Sequence, residues 1–199
     1  PIIDIIWTNI PTQGLGLGCN SKMAKYFDEL KRAMTYLGEQ EDTVFLGQAV
    51  EYKGTAMTNT LTEVAKDKLI EMPVNEDMQM GITNGLALAG SVPISIYPRW
   101  DFLMLAMNQL VNHLDKISTF SHGAYNPKAI IRTGIGSQRP MHPQMQHVGD
   151  YTDGVRLIVK NIEIIRLEEP DQVFDAYYKA YHRTDGKNTI IVEYGDYYS

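Results

Sequence analysis

The segment that decides the fold is Pro73-Val-Asn-Glu-Asp-Met-Gln-Met-Gly-Ile-Thr-Asn-Gly-Leu-Ala-Leu-Ala-Gly90. It has the signals of one complete helix, because Asn75 is a favourable N-cap and Gly90 is a residue typical of helix ends. Glu76 and Asp77 fall in the first turn, where a carboxylate complements the helix dipole. The segment therefore predicts a helix that begins with a carboxylate, directly after a strand that Pro73 stops.

One face of this helix carries small residues, Gly81, Gly85 and Ala89, spaced four residues apart. Residues at that spacing lie on the same side of a helix, so another backbone can approach closely there. The residues alone leave two interpretations open. The face packs closely on a sheet, or it contacts a helix of a second copy.

Short apolar runs recur on both sides of this helix and alternate with segments of helical periodicity. The predicted strands cover 43–47, 69–72, 92–97, 128–133, 162–167 and 189–193. The other predicted helices cover 21–37, 55–64, about 101–118, and 170 through 181. Nearly continuous apolar strands separated by helices are typical of parallel sheets. We therefore expect an α/β fold, a doubly wound and mostly parallel sheet with helices on both faces, as one domain over residues 21–199.

Residues 1–20 are expected to form an N-terminal arm outside this domain. The glycines Gly14, Gly16 and Gly18 fit neither the P-loop pattern nor the dinucleotide-binding pattern. The simpler interpretation is an arm whose apolar end packs on a partner subunit.

Composition limits the kind of protein this can be. The chain has 199 residues and a formal net charge of −6, which argues against electrostatic binding to nucleic acid or to an anionic membrane. Its one cysteine, Cys19, cannot form a disulfide within the chain. No apolar run is long enough to cross a membrane, and the N-terminus lacks the basic start of a signal peptide. The expected location is the cytoplasm.

A ligand site is expected where predicted strands lead into loops, because doubly wound sheets bind ligands beyond the carboxyl ends of their strands. Three segments meet there: the one that begins with Glu76, the one after the strand at 92–97, and the polar loop at 134–150. They contribute a carboxylate, aromatic side chains and histidines, namely Tyr97, Trp100, Phe102, His142 and His147. This combination suits a flat heterocycle with a basic ring nitrogen, which stacks on an aromatic ring and hydrogen-bonds the carboxyl group.

Each of these residues also has a plainer interpretation. Glu76 could only complement the helix dipole, and Trp100 and Phe102 could belong to the core. His147, with His142 and Asp150, could bind zinc, but their spacing fits no strong zinc template, so no metal site is predicted.

The spacing in the opening segment resembles a known family signature. Glu76, four residues, Gly81-Ile82, two residues and Gly85-Leu86 is similar to the pyrimidine-domain motif of thiamine diphosphate enzymes. The extended pattern is most similar to the β subunit of 2-oxo-acid dehydrogenase E1 components, and the resemblance covers residues 22–195. It includes two further motifs, Gly90-x-x-Pro93-Ile94 and Asn108-Gln109-x-x-Asn112.

The resemblance implies a role for each candidate residue. Glu76 would contact N1′ of the cofactor aminopyrimidine and thereby activate the cofactor. Phe102 would lie against the pyrimidine, with Tyr97 and Trp100 as further cofactor-binding residues. His147 would assist the substrate chemistry, although Val148-Gly149 replaces the family's usual Ser-Gln after this histidine. Gly81, Gly85 and Ala89 would lie in a subunit interface.

The Gly-Asp-Gly motif with which the family holds the diphosphate and Mg²⁺ is absent from the 199 residues. The resemblance therefore implies that an E1 α-like partner chain holds these groups and that this chain is inactive alone. The expected function is that of a β-type subunit of a thiamine diphosphate-dependent 2-oxo-acid dehydrogenase, an oxidoreductase acting on a small 2-oxo acid. The alternatives are a split transketolase or 2-oxo-acid decarboxylase subunit, and a non-catalytic dimeric relative that serves in binding or assembly.

Overall fold

The computed structural model describes residues 17–52, 55–136 and 143–198. Most of the predicted arm, residues 1–16, and the candidate ligand His142 lie outside these ranges. No helix of the described residues is long and apolar enough to cross a membrane.

Within the described ranges, six strands form one sheet in which every neighbouring pair is parallel. They are β1 (Thr43–Gly47), β2 (Leu69–Glu71), β3 (Val92–Tyr97), β4 (Ile130–Ile135), β5 (Ile162–Arg166) and β6 (Asn188–Tyr194). Their order across the sheet is β2-β1-β3-β4-β6-β5. Each corresponds to one of the six predicted apolar runs, so the predicted parallel sheet is confirmed.

Helices cover both faces of the sheet, as the fold prediction requires. The α-helices are α1 (Leu17–Gly38), α2 (Glu76–Leu88), α3 (Trp100–Leu103), α4 (Ile117–Phe120), α5 (Thr152–Arg156) and α6 (Pro170–His182). One core cluster lies between the sheet, α1, α6 and the 3-10 helix Ala56–Leu61. The other lies between the opposite face, α2, α3, the segment that follows α3, and α5.

The predicted helix at 101–118 is not continuous, and this prediction was wrong in detail. After α3 the chain forms a 3-10 turn, then the π-helix Asn108–Leu114, and then α4. At the end of the π-helix, the Asp115 N–H donates to the Leu110 carbonyl, five residues back. The buried Asp115 carboxylate accepts the N–H groups of Lys160 and Asn161 at 2.8 and 2.7 Å. Apolar periodicity cannot predict a contact between residues so far apart in the sequence.

Other boundaries differ as well, among them that of β4, which begins at Ile130 rather than at residue 128. Helix α1 begins at Leu17, four residues before the predicted start, because the capping residue types Asn20 and Ser21 fall within the helix rather than before it. The predicted helix at 55–64 is a 3-10 helix over Ala56–Leu61. The segment predicted as a polar loop at 134–150 contains the end of β4 and a 3-10 helix over Gln144–His147.

A buried ion pair that was not predicted from the sequence joins the neighbouring strands β4 and β6. Arg132 and Glu193 are fully buried, with Nε to Oε1 at 2.8 Å and Nη2 to Oε2 at 2.9 Å. Arg132 Nη1 donates to the Thr60 hydroxyl, and the Tyr177 and Tyr198 hydroxyls donate to Glu193. Burial, with the charge of Glu193, raises the pKa of both tyrosine hydroxyls well above their usual range, so they remain donors.

Candidate active site

The sheet order places a topological switch point at the carboxyl ends of β1 and β3. The chain passes from β1 to β2 on one side and then to β3 on the other side, so the connections diverge at this point. Ligands of open parallel sheets bind at such a switch point. The segments that follow β1, β2 and β3 there contribute Gln48, Glu76 and Arg99, respectively.

Glu76 is the first residue of α2 and is only 7% exposed. The Asn75 side chain caps the helix by accepting the Met78 N–H at 3.0 Å, as predicted. Gln48 Nε2 donates to Glu76 Oε1 at 3.1 Å, and within the described part of the chain it is the one hydrogen-bond donor to this carboxylate. The second oxygen, Oε2, therefore has no donor among those residues.

Tyr97 and Trp100 lie in the core behind Glu76. The Tyr97 hydroxyl donates to the Glu76 backbone carbonyl at 3.3 Å, and burial raises the pKa of this hydroxyl well above its usual range. Trp100 is fully buried, and its Nε1 donates to the Thr152 hydroxyl at 3.2 Å. Both side chains are 1% exposed or less, which leaves no surface for a ligand in this chain. Their geometry fits support of the site and does not fit direct stacking.

Phe102 and His147 lie against each other at the same edge of the sheet. Their ring centroids are 5.0 Å apart, and both side chains are half-buried. The Arg99 guanidinium donates to the His147 carbonyl at 2.7 Å, so the histidine segment is tied to the turn after β3. Burial lowers the pKa of this guanidinium, and Asp101 partly offsets the effect. His147 Nδ1 is buried and has no hydrogen-bond partner among the described residues.

Asp150, the third residue of the zinc interpretation, is occupied by other contacts. It accepts the Thr152 N–H at 3.0 Å and forms an ion pair with Arg166 at 3.0 Å. Burial opposes its ionisation, but the hydrogen bonds from Thr152 and Arg166 lower the pKa of its carboxyl group. Within the described residues, no group of three or more His, Cys, Asp and Glu side chains could hold a metal ion.

The small residues of α2 face outward rather than toward the sheet. A Cβ at Gly85 would meet no atom of the described residues within 4 Å, and one at Gly81 would be 3.8 Å from the Gln109 side chain. Gly85 and Ala89 are exposed. The neighbouring exposed residues of this face are apolar, namely Met78, Ile82 and Leu88. The packing of this chain on its own sheet therefore does not require glycine at Gly85.

A family model describes the transketolase pyrimidine-binding domain, and it matches residues 22–195. The chain belongs to this family. The match covers the sheet, the helices on both faces and every candidate residue within the described ranges. The resemblance expected from the Glu76 segment is therefore confirmed.

Relatives of this pyrimidine-binding domain include β subunits of 2-oxo-acid dehydrogenases. The 2-oxoisovalerate dehydrogenase subunit beta of Bacillus subtilis (strain 168) is 26% identical over 155 residues, which are 76% of this chain and 46% of that protein. The mitochondrial pyruvate dehydrogenase E1 component subunit beta of Drosophila melanogaster is 32% identical over 114 residues, 55% of this chain and 31% of that protein. The chain thus spans less than half the length of these curated relatives.

Two solved structures have the same fold. A split-gene transketolase, described as an inactive beta4 tetramer, superimposes with a TM-score of 0.65 at 15% identity, over 84% of this chain and 50% of that one. Transketolase from Campylobacter jejuni gives a TM-score of 0.65 at 13% identity, over 84% of this chain and 25% of that one. At these identities the likeness shows the fold alone.

Two residues of the site in this pyrimidine-binding domain were not predicted from the sequence. Gln48 contacts Glu76, and Arg99 holds the His147 segment. Gln48 directly follows the predicted strand at 43–47, and Arg99 lies two residues after the predicted strand at 92–97. The carboxyl ends of both strands lie at the switch point. That position was the available signal, but a glutamine and an arginine in polar loops have no motif of their own.

Proposed function

We propose that this chain supplies the pyrimidine-binding half of a thiamine diphosphate site and acts as a β-type subunit of a 2-oxo-acid dehydrogenase or decarboxylase. The observation that carries the proposal is the Glu76 carboxylate. It is nearly buried at the first residue of α2, beside the switch point, with Oε2 not engaged by a described residue. The curated relatives named above, which are β subunits of such enzymes, support this reaction class.

The side chains present fit the pyrimidine end of this cofactor. Glu76 would share a proton with the ring nitrogen at its carboxyl oxygen, held in a site of low polarity where such a hydrogen bond is strong. Phe102 would pack against the ring, since its side chain is half-buried at the same edge. His147 would assist the substrate chemistry, since its half-buried ring lies against Phe102 at the same edge. When bound, thiamine diphosphate supplies the nucleophilic carbon and the electron sink that decarboxylation of a 2-oxo acid requires.

The diphosphate and Mg²⁺ would be held by another chain. This inference rests on the absence of Gly-Asp-Gly from the 199 residues. The active enzyme would then be a cytoplasmic assembly with an E1 α-like partner, and this chain would have no activity alone.

Calorimetry tests the proposal most simply. Thiamine diphosphate and Mg²⁺ are titrated into this chain, into a candidate partner that contains Gly-Asp-Gly, and into their mixture. We expect cofactor binding in the mixture that this chain alone does not show, and weaker binding with Glu76→Gln. The enzyme proposal would be refuted if cofactor binding does not depend on this chain, or if Glu76→Gln leaves that binding unchanged. Either result would favour a non-catalytic assembly role.

The outward face of α2 is proposed as the surface through which two copies of the chain associate. Gly85→Leu should weaken self-association at least tenfold, because the added side chain occupies the space that a second backbone would use. The monomer should lose no stability, since a helical glycine costs about 1 kcal/mol relative to better helix formers and nothing lies within 4 Å of its Cβ position.

Gly154→Leu is the matched control, because Gly154 also lies in a helix with no atom within 4 Å of its Cβ position. Sedimentation velocity over a range of protein concentrations measures association, and thermal unfolding checks the fold. If Gly85→Leu associates as the unmodified chain does, the interface lies elsewhere.

A further inference from the structure

The loop after β1 has a conformation that needs an external restraint. Ala49 adopts a φ of 53°, in the left-handed region that residues with a Cβ seldom occupy. The loop is half-buried at its start and becomes exposed at Glu51. Its neighbours on the sheet edge must therefore supply the contacts that hold it.

Glu71 supplies those contacts. Its carboxylate accepts three consecutive backbone N–H groups, from Ala49 at 2.6 Å and from Val50 and Glu51 at 2.9 Å each. Hydrogen bonds to a charged acceptor are stronger than neutral ones, and here three donors converge on one group. The Thr58 hydroxyl also donates to the Ala49 carbonyl.

Backbone pairing fixes Glu71 in turn. It is the last residue of β2 and lies opposite Gly47 of β1, the residue before Gln48. The Met72 N–H donates to the Gly47 carbonyl at 2.8 Å, which extends the ladder past Glu71. The carboxylate therefore reaches the loop from a rigid strand.

The restrained loop begins with Gln48, whose Nε2 donates to Glu76 Oε1. An amide donor binds a carboxylate oxygen without adding a charge, whereas a second carboxylate at the same place would repel the first. The bond fixes which oxygen of Glu76 is occupied and leaves Oε2 for a ligand. Glu71 does not hydrogen-bond Glu76 itself, so it can influence that carboxylate only through the loop.

We propose that Glu71 is a positioning residue, which holds the loop at 48–51 so that the Gln48 amide orients the Glu76 carboxylate. The consequence for cofactor binding rests on the function proposed above, but the arrangement itself does not. The ligand in question is the aminopyrimidine ring that Glu76 would contact.

The first test follows the structural arrangement in the full chain without any cofactor. Amide hydrogen exchange is measured by NMR for residues 49–51 in the unmodified chain, Glu71→Gln and Glu71→Asp. We expect Glu71→Gln to accelerate exchange at all three amides by roughly tenfold or more, since each loses a charged acceptor. Glu71→Asp keeps the charge on a shorter side chain and should give an intermediate rate. Glu63→Gln is the control, because Glu63 forms an exposed ion pair with Lys31.

The second readout is the side-chain amide resonance of Gln48 in protein labelled with ¹⁵N-glutamine. A merely structural role for Glu71 would leave this resonance unchanged, whereas a positioning role predicts that Glu71→Gln shifts it toward the value seen in Glu76→Ala. Unchanged exchange at residues 49–51, or an unmoved Gln48 resonance, would overturn the proposal. If Glu71→Gln does not fold, the same comparison with Glu71→Asp decides it.

Titration of thiamine diphosphate into the assembly with a partner separates this proposal from the proposed function. If Glu71 positions Glu76 for the cofactor, Glu71→Gln should weaken binding roughly tenfold, and Glu63→Gln should not. If the cofactor binds normally although Glu71→Gln displaces the loop at 48–51, Glu71 does not position Glu76 and the proposal is wrong. Absence of cofactor binding in the unmodified assembly refutes the proposed function, while the two NMR measurements still decide the arrangement of the loop.

Discussion

Glu76→Gln is expected to lower the turnover of the assembled enzyme by roughly 10²- to 10⁴-fold, the range typical of a positioned acid–base group. Glutamine has nearly the same shape and keeps the helix start, but its amide cannot exchange a proton with the ring nitrogen of a cofactor. Because Glu76 is nearly buried, bulk water cannot easily replace the lost group. The expected loss is therefore in turnover, with a smaller change in cofactor affinity.

The matched control is Asp77→Asn, one residue further along the same first turn. Both substitutions remove one negative charge from the N-terminus of α2, so their effects on the helix dipole are similar. Steady-state kinetics at saturating cofactor compare the two variants. Equal effects of the two substitutions would mean that Glu76 acts only on the helix dipole, and would exclude a catalytic role.

Arg132→Met is expected to lower the free energy of unfolding by about 3–5 kcal/mol, because it leaves the Glu193 carboxylate buried without its partner. Of its described donors, Glu193 would then retain the Tyr177 and Tyr198 hydroxyls. Glu193→Gln should cost a similar amount, since the buried guanidinium then has no counter-charge. The double variant Arg132→Met/Glu193→Leu should be more stable than either single one, because both charges are removed.

Urea unfolding of the full chain measures these differences. An exposed ion pair is the comparison: Lys22 and Glu169 are 2.8 Å apart with side chains 32% and 55% exposed. Lys22→Met should change stability by less than about 1 kcal/mol. A loss below about 1 kcal/mol for Arg132→Met as well would show that the buried pair is not a major stabilising element of the sheet.

The sheet was predictable from the sequence because its inner strands, β1, β3, β4 and β6, are buried on both faces. Such strands consist of short, nearly continuous apolar runs, as at 92–97 and 188–194, and the helices between them show their own periodicity. The helix start at Glu76 was also predictable, since Asn75 is a strong local capping signal. Local chemistry thus specified both the fold class and the position of the candidate carboxylate.

The contacts that complete the site were not predictable, because each joins residues far apart in sequence. Glu71 holds a loop about twenty residues before it in the sequence. Arg132 on β4 forms its ion pair with Glu193 on the neighbouring strand β6. Periodicity reports which side of an element is buried and does not report which distant polar group meets it. The contact of Trp100 with Thr152 is also distant in sequence and was not predictable. Trp100 was therefore predicted as a cofactor contact, although its indole lies in the core against Thr152.

The most direct test of the proposed function is a structure of this chain bound to its partner, thiamine diphosphate and Mg²⁺. We predict that a carboxylate oxygen of Glu76 lies about 2.6–2.9 Å from N1′ of the aminopyrimidine, a charge-assisted hydrogen-bond distance. Gln48 should remain bonded to the other oxygen. A ring bound away from Glu76, or a different carboxylate at N1′, would contradict the assignment of this site.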